Sequence, residues 1–150
     1  VSEFLLQSIS SLALQKVFEY SMQNTNRPQA EKIDDKQFHQ IAAQLLHSIE
    51  LSLEHADEAL DLDLDIARQG GNVINIAFHD RSVIVVNTQP PLHEIWVAAK
   101  AGGFHYRWAG TALEPLWLDT KTGNELLADL SSFVSAQAGK DVKVSLLGTR

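Results

Sequence analysis

"EHADEALDLDLD", Glu54 to Asp65, is the stretch on which the fold turns. Upstream of it, Phe38, Ile41, Ala42, Leu45, Ile49 and Leu53 follow the i, i+3, i+4, i+7 spacing of an amphipathic helix. Within it the period drops to 2, as Leu60, Leu62, Leu64 and Ile66 alternate with Asp61, Asp63 and Asp65. The pattern predicts a helix capped by Asp34 or Asp35 and running to about Asp57, then a strand from Leu60 with one face on a core and a row of carboxylates outside. At about 100° per residue, Glu50, Glu54, Asp57 and Glu58 cluster away from the apolar stripe and are expected to point to water.

Downstream the punctuation is regular. Gly70-Gly71 turns the chain into "NVINIAF", "HDR" into "SVIVVNT", "QPP" interrupts, "HEIWVAA" resumes, "KAGG" turns again into "FHYRW", and a short strand is expected around "LWLD". Thr122 with Glu125 three residues on reads as a capping box for a second helix carrying Leu126, Leu127, Leu130, Phe133 and Val134 and stopping at Gly139. Helix, five or six antiparallel strands, helix is an α+β plan, with both helices on one face of one antiparallel sheet.

Residues 1–33 have a different character. Leu5, Ile9 and Leu12, and Leu6, Ala13 and Val17, recur at helical spacing, followed by a polar stretch through Met22 and Pro28. No basic region precedes the apolar part, so a secretory signal is not expected. Residues 1–33 are read as an accessory extension, helix plus linker, and 34–150 as the working domain.

With 150 residues and 45% hydrophobic side chains the chain can bury one core. A net charge of −7 disfavours nucleic acid and anionic membrane, and no apolar run approaches the roughly 18 to 20 residues of a membrane span, so a soluble protein is expected. The absence of Cys removes disulfides, thiolate metal sites and a cysteine nucleophile. Enzyme motifs are missing too. His93-Glu94 is followed by Val97 where H-E-x-x-H needs His, the Asp61–Asp65 alternation has Ile66 where an EF-hand loop needs Gly, and neither G-x-S-x-G nor a phosphate-binding glycine loop occurs. His39, His47 and His55, eight residues apart, rotate about 80° from one to the next on a helix and cannot share a ligand.

Residues 34–65 hold nine acids and one base, a net −8 against −7 for the whole chain. Such a run is a solvated face, a loose site for a hard cation such as iron, Mn²⁺ or Ca²⁺, or a docking surface for Arg and Lys. A second candidate is "NTQPPLHEIWVAAK": Ile95 and Val97 are expected under the helices, and Trp96 on the uncovered face, either as an exposed contact anchor or half-buried by its strand neighbours.

These segments, in this order, resemble the frataxin family, especially its bacterial CyaY members. The likeness covers about Asp34 to Ser145 and rests on "DDKQFHQIAAQLLHSIE", the acidic helix-to-strand junction, "GGNVINIAF", the N-x-Q-x-P…I-W core of "NTQPPLHEIWVAAKAGGFHY", and "TGNELLADL…QAG". The resemblance implies a frataxin-like α-β sandwich that binds iron weakly on an acidic ridge of Glu50, Glu54, Asp57, Asp61 and Asp63, with Glu58 and Asp65 as neighbours and other divalent cations as substitutes. It implies docking on the cysteine desulfurase and scaffold of iron–sulfur cluster assembly through a surface centred on Asn87, Gln89 and Trp96. It further implies a bacterial cytoplasmic protein, a monomer with iron-driven oligomerisation open to it, and a regulator in place of an enzyme; the alternative is an iron store or ferroxidase. Leu51, His55 and Ala59 stand where many relatives keep acids, which thins the ridge.

Overall fold

The computed structural model describes residues 15–16 and 30–146. The expected extension helix, Met22 and Pro28 therefore lie outside the described residues, apart from Gln15 and Lys16, which are helical and exposed.

Helix α1 spans Asp35–Leu60. Asp34 is its N-cap: its carboxylate accepts from the Gln37 amide at 2.8 Å while Gln37 Oε1 accepts from the Asp34 amide at 2.9 Å, so two otherwise unpaired donors are satisfied reciprocally. Phe38, Ala42, Leu45, Leu46, Ile49, Ser52 and Leu53 are buried, and Ile41 is half-buried, which follows the stripe read from the sequence with Leu46 and Ser52 added.

The helix does not stop near Asp57, and no strand begins at Leu60. α1 continues to Leu60, and Asp61 (φ 51°) and Asp63 (φ 56°) take left-handed backbone, a conformation that Asp tolerates better than most residues. Alternation from Leu60 to Asp65 is thus a reversing loop in which Leu62 turns into the core and Leu60 stays exposed. Two bonds hold it: the Leu64 amide donates to Asp57 Oδ1 at 3.1 Å, and Lys140 Nζ donates to the Leu60 carbonyl at 2.6 Å.

Six strands follow as a meander, β1 Asp65–Gln69, β2 Val73–Ala77, β3 Val83–Gln89, β4 Glu94–Ala99, β5 Gly102–Trp108 and β6 Trp117–Asp119, each antiparallel to the next in sheet order 1 to 6. A 3-10 turn, Pro90–Leu92, separates β3 from β4, because neither proline has an amide to give to a ladder. Ile74, Ile76, Ile84, Val86, Ile95, Val97, Tyr106 and Trp117 are buried on the inner face. Helix α2, Leu126–Ala138, packs Leu126, Leu130 and Val134 against them and ends at Gly139 in left-handed geometry (φ 74°).

The Thr122–Glu125 capping box does not form. Glu125 is itself the N-cap, accepting from the Leu127 amide at 2.9 Å and the Ala128 amide at 2.8 Å, while Thr122 Oγ1 takes the Asn124 amide. Glu125 is held there by a bridge to Leu118 of β6, a contact that local sequence does not reveal. Beyond α2, residues 141–146 bury Val142 and Val144 and borrow partners from serine hydroxyls: Val142 and Val144 amides donate to Ser135 and Ser131, and the Ser145 amide to Ser52 on α1.

Among the described residues no helix is long and apolar enough to cross a membrane.

Candidate functional site

The C-terminal half of α1, the reversing loop and the start of β1 carry all seven predicted ridge carboxylates. Glu54, Glu58, Asp61, Asp63 and Asp65 are exposed. Glu50 is not the water-facing residue expected: it is half-buried, and its Oε2 accepts from Arg68 Nη1 at 3.1 Å across the inner face of β1. Asp57 is also half-buried, because its carboxylate replaces the missing partner of the Leu64 amide. The last turn of α1 has no basic residue, so the negative end of the helix dipole adds to the carboxylates. Among the described residues no three His, Asp or Glu side chains converge to hold a metal ion. The donors are hard oxygens suited to iron or Ca²⁺ but spread along a ridge, which fits open, exchangeable binding and not a closed cage. His39, His47 and His55 are exposed along α1.

The second patch lies on the face of the sheet away from the helices. Strand register places Asn87 opposite Trp96 and Trp96 opposite His105 in one row, and Gln89 opposite Glu94 and Glu94 opposite Arg107 in the next. Trp96 is half-buried: its ring stacks on His105 with centroids 4.2 Å apart and 6° between planes, and its Nε1 donates to Glu94 Oε1 at 3.0 Å. Arg107 Nε donates to Glu94 Oε2 at 2.7 Å, and His105 Nδ1 lies 3.8 Å from Glu94 Oε1. Gln89 Nε2 donates to Asn87 Oδ1 at 2.8 Å. Leu92, in the turn after Gln89, is exposed.

Glu94 is 3% exposed although it stands on the outer face. Burial pushes its pKa up, but hydrogen bonds from Trp96 and Arg107, with the Arg107 charge, outweigh burial and hold it below the ordinary carboxylate value. The side chain therefore stays ionised and orients the indole. Glu94, His105 and Arg107 were missed as site residues, yet a signal for them existed. The two residues Lys100 and Ala101 between the paired Ala99 and Gly102 set a register that puts Trp96 against His105 and Glu94 against Arg107.

On the inner side, Tyr106 is fully buried and donates its hydroxyl to Asp129 at 2.8 Å. Burial, then that bond to a carboxylate, raises its pKa far above the usual phenol value, so it acts as a fixed donor tying β5 to α2.

The family model described as a frataxin-like domain matches residues 31–140. The iron-sulfur cluster assembly protein CyaY of Delftia acidovorans is 44% identical over 111 residues, 74% of this chain and 96% of that protein. The protein of the same name from Cupriavidus metallidurans is 45% identical over 107 residues, 71% of this chain and 92% of its own length. Among solved structures, the frataxin of Psychromonas ingrahamii superposes with a TM-score of 0.64 at 29% identity, over 75% of this chain and 99% of that one. A trimeric frataxin of the yeast Saccharomyces cerevisiae, complexed with ferrous iron, superposes with a TM-score of 0.54 over 79% of this chain and 98% of its own; at 22% identity that likeness bears on the fold alone.

Proposed function

This chain belongs to the frataxin family, and on that premise we propose that it is a non-catalytic regulator of iron–sulfur cluster assembly. It binds iron weakly on the ridge from Glu50 to Asp65 and docks on a cysteine desulfurase and its scaffold, in the bacterial cytoplasm. The observation that carries the reading is the charge distribution. Five exposed carboxylates gather at the negative pole of α1, while Arg68 and Lys140, two cations that reach this end, are committed to Glu50 and to the Leu60 carbonyl. Such a surface attracts a divalent cation or a basic protein without enclosing either. The outer-face patch supplies what the ridge lacks, an aromatic anchor held in place by Glu94 and His105. With no Cys, the chain carries no persulfide, and sulfur chemistry belongs to the partner.

Two measurements test this reading. In an NMR titration with Fe²⁺ or Co²⁺, the carboxylate residues between 50 and 65 shift or broaden first; changes confined to the six histidines, His55 included, overturn the ridge as the metal site. In binding kinetics on an immobilised desulfurase at two salt concentrations, Glu54→Lys with Glu58→Lys slows association and weakens its salt dependence. Trp96→Ala speeds dissociation, with a loss of about 2 kcal/mol expected of an anchor residue. Metal binding with both partner effects absent leaves an iron store or ferroxidase in place of a docking regulator.

A further inference from the structure

With no Cys in the chain, histidine is the side chain whose charge ordinarily changes between about pH 5 and pH 8. His39, His47 and His55 stand exposed along α1, and His79 Nε2 meets the Ala138 carbonyl at the end of α2. His93 is turned to α1, bonded to Asp35 and stacked on Phe38. His105 differs from these, because its ring lies flat on an indole. The centroids of His105 and Trp96 are 4.2 Å apart with 6° between planes, inside the roughly 6 Å at which an aromatic face attracts a cation. The His105 side chain is 48% exposed, so protons reach it from solvent.

The charged groups around this ring are few. On β4, Glu94 Oε1 is 3.8 Å from His105 Nδ1 and accepts from Trp96 Nε1; on β5 itself, Arg107 is bonded to the other oxygen, Oε2. A charge gained by His105 therefore need not displace Arg107. Because Arg107 balances Glu94, the pull on a protonated imidazole comes chiefly from the indole face. Beyond Trp96, β3 contributes the neutral Asn87. On the β6 side, the Thr120 amide donates to the His105 carbonyl at 2.9 Å. In that turn Lys121 is exposed, and Asp119 is buried with its Oδ1 taken by the Lys121 and Thr122 amides. Tyr106, next to His105, faces inward on Asp129. We infer that His105 is a pH-sensitive positioning residue for Trp96: protonated, it clamps the indole against itself, and neutral, it holds the ring more loosely. An anchor ordered before binding costs less to order on binding, so the clamped state holds a partner longer. That consequence rests on the reading of the outer face as a docking surface; the clamp itself is a property of the free protein.

Wild type, His105→Gln and His105→Arg decide it. Gln removes the charge, and Arg keeps a planar cation on the indole at every pH. In the free protein, the ¹⁵N–¹H NOE of the Trp96 indole should rise from pH 8 to pH 6 in wild type and stay level in both variants, with Trp108 as internal reference. On an immobilised desulfurase, dissociation is compared with that of His105→Gln at the same pH, which cancels titration of the partner and of the ridge. The longer residence of wild type should grow about two- to fivefold between pH 8 and pH 6, and that of His105→Arg should not change with pH. A Trp96 NOE that stays level in wild type, or rises equally in His105→Gln, overturns the clamp. A wild-type advantage constant with pH, where Trp96→Ala does speed dissociation, overturns its link to docking. If Trp96→Ala dissociates as wild type does while the NOE still follows His105, the docking reading falls and the clamp stands.

Discussion

Glu94→Ala removes the acceptor on which the outer-face patch is built. In the native protein this 3% exposed carboxylate takes Trp96 Nε1 at 3.0 Å and Arg107 Nε at 2.7 Å. Each hydrogen bond to an ionised group contributes about 1.5–3 kcal/mol where both partners are desolvated. The Arg107 side chain is 65% exposed, so water replaces its lost partner and most of that contribution is screened. The half-buried indole N–H is re-solvated less completely. The net cost at neutral pH is about 2 kcal/mol, a fall in Tm of about 6–10 °C for a domain of this size. The sign of the pH dependence follows from the pKa. Because the folded value lies below the unfolded one, the ionised side chain stabilises the fold fully above the unfolded pKa. That stabilisation is lost as pH falls through the folded value. Wild type and Glu94→Ala should therefore differ most at neutral pH and converge in acid. Urea unfolding of both from pH 7 to pH 3 measures the gap directly, with Trp96→Phe completing a double-mutant cycle. A difference within about 0.5 kcal/mol at pH 7, the range of an ordinary surface substitution, refutes the argument, as does a gap that widens in acid.

Gly110→Ala should destabilise by about 1–3 kcal/mol in chemical denaturation, since its Cβ would stand 2.3 Å from the Glu114 carbonyl oxygen and 2.5 Å from the Leu116 nitrogen; Gly71→Ala, with nothing within 4 Å, should be near neutral. Asp34→Ala should cost about 1 kcal/mol by removing the cap of α1, read from the urea midpoint. Within the ridge the carboxylates should divide. Glu54→Gln or Glu58→Gln raises Tm slightly, by a few tenths of a kcal/mol, because the two are an exposed like-charge pair one turn apart near the negative end of the helix. Glu50→Gln lowers it by up to about 1 kcal/mol through loss of the Arg68 pair, and all three changes shrink in high salt when followed by thermal melts.

The order of elements, a cap at Asp34 or Asp35, the stop at Gly139, the glycine and proline breaks, and the faces of α1 and α2 were legible because each depends on neighbours within a few residues. Periodicity encodes burial wherever one face of an element meets the core, so the buried stripe from Phe38 to Leu53 and the inner-face set from Ile74 to Val97 could be read directly. The acidic run could be counted, and the absence of thiol chemistry followed from composition alone.

What happens between Leu60 and Asp65 was decided by tertiary structure. Leucine alternating with aspartate satisfies the period of a strand and equally a loop in which two left-handed aspartates flank one inward leucine. The choice is made by Lys140, eighty positions from Leu60, which holds the last carbonyl of α1, and by the core that receives Leu62. The capping of α2 was settled in the same way, by a bridge from Glu125 to Leu118. At the outer face the sequence placed Trp96 but left its exposure open, because burial of one side chain on a sheet depends on what the adjacent strands set beside it. Glu94 and His105 make it half-buried and fixed. Charge sign and pattern period are properties of the chain itself. Which carboxylates remain free for a cation or partner, and which are consumed by Arg68 or the Leu64 amide, is a property of contacts between residues distant in sequence.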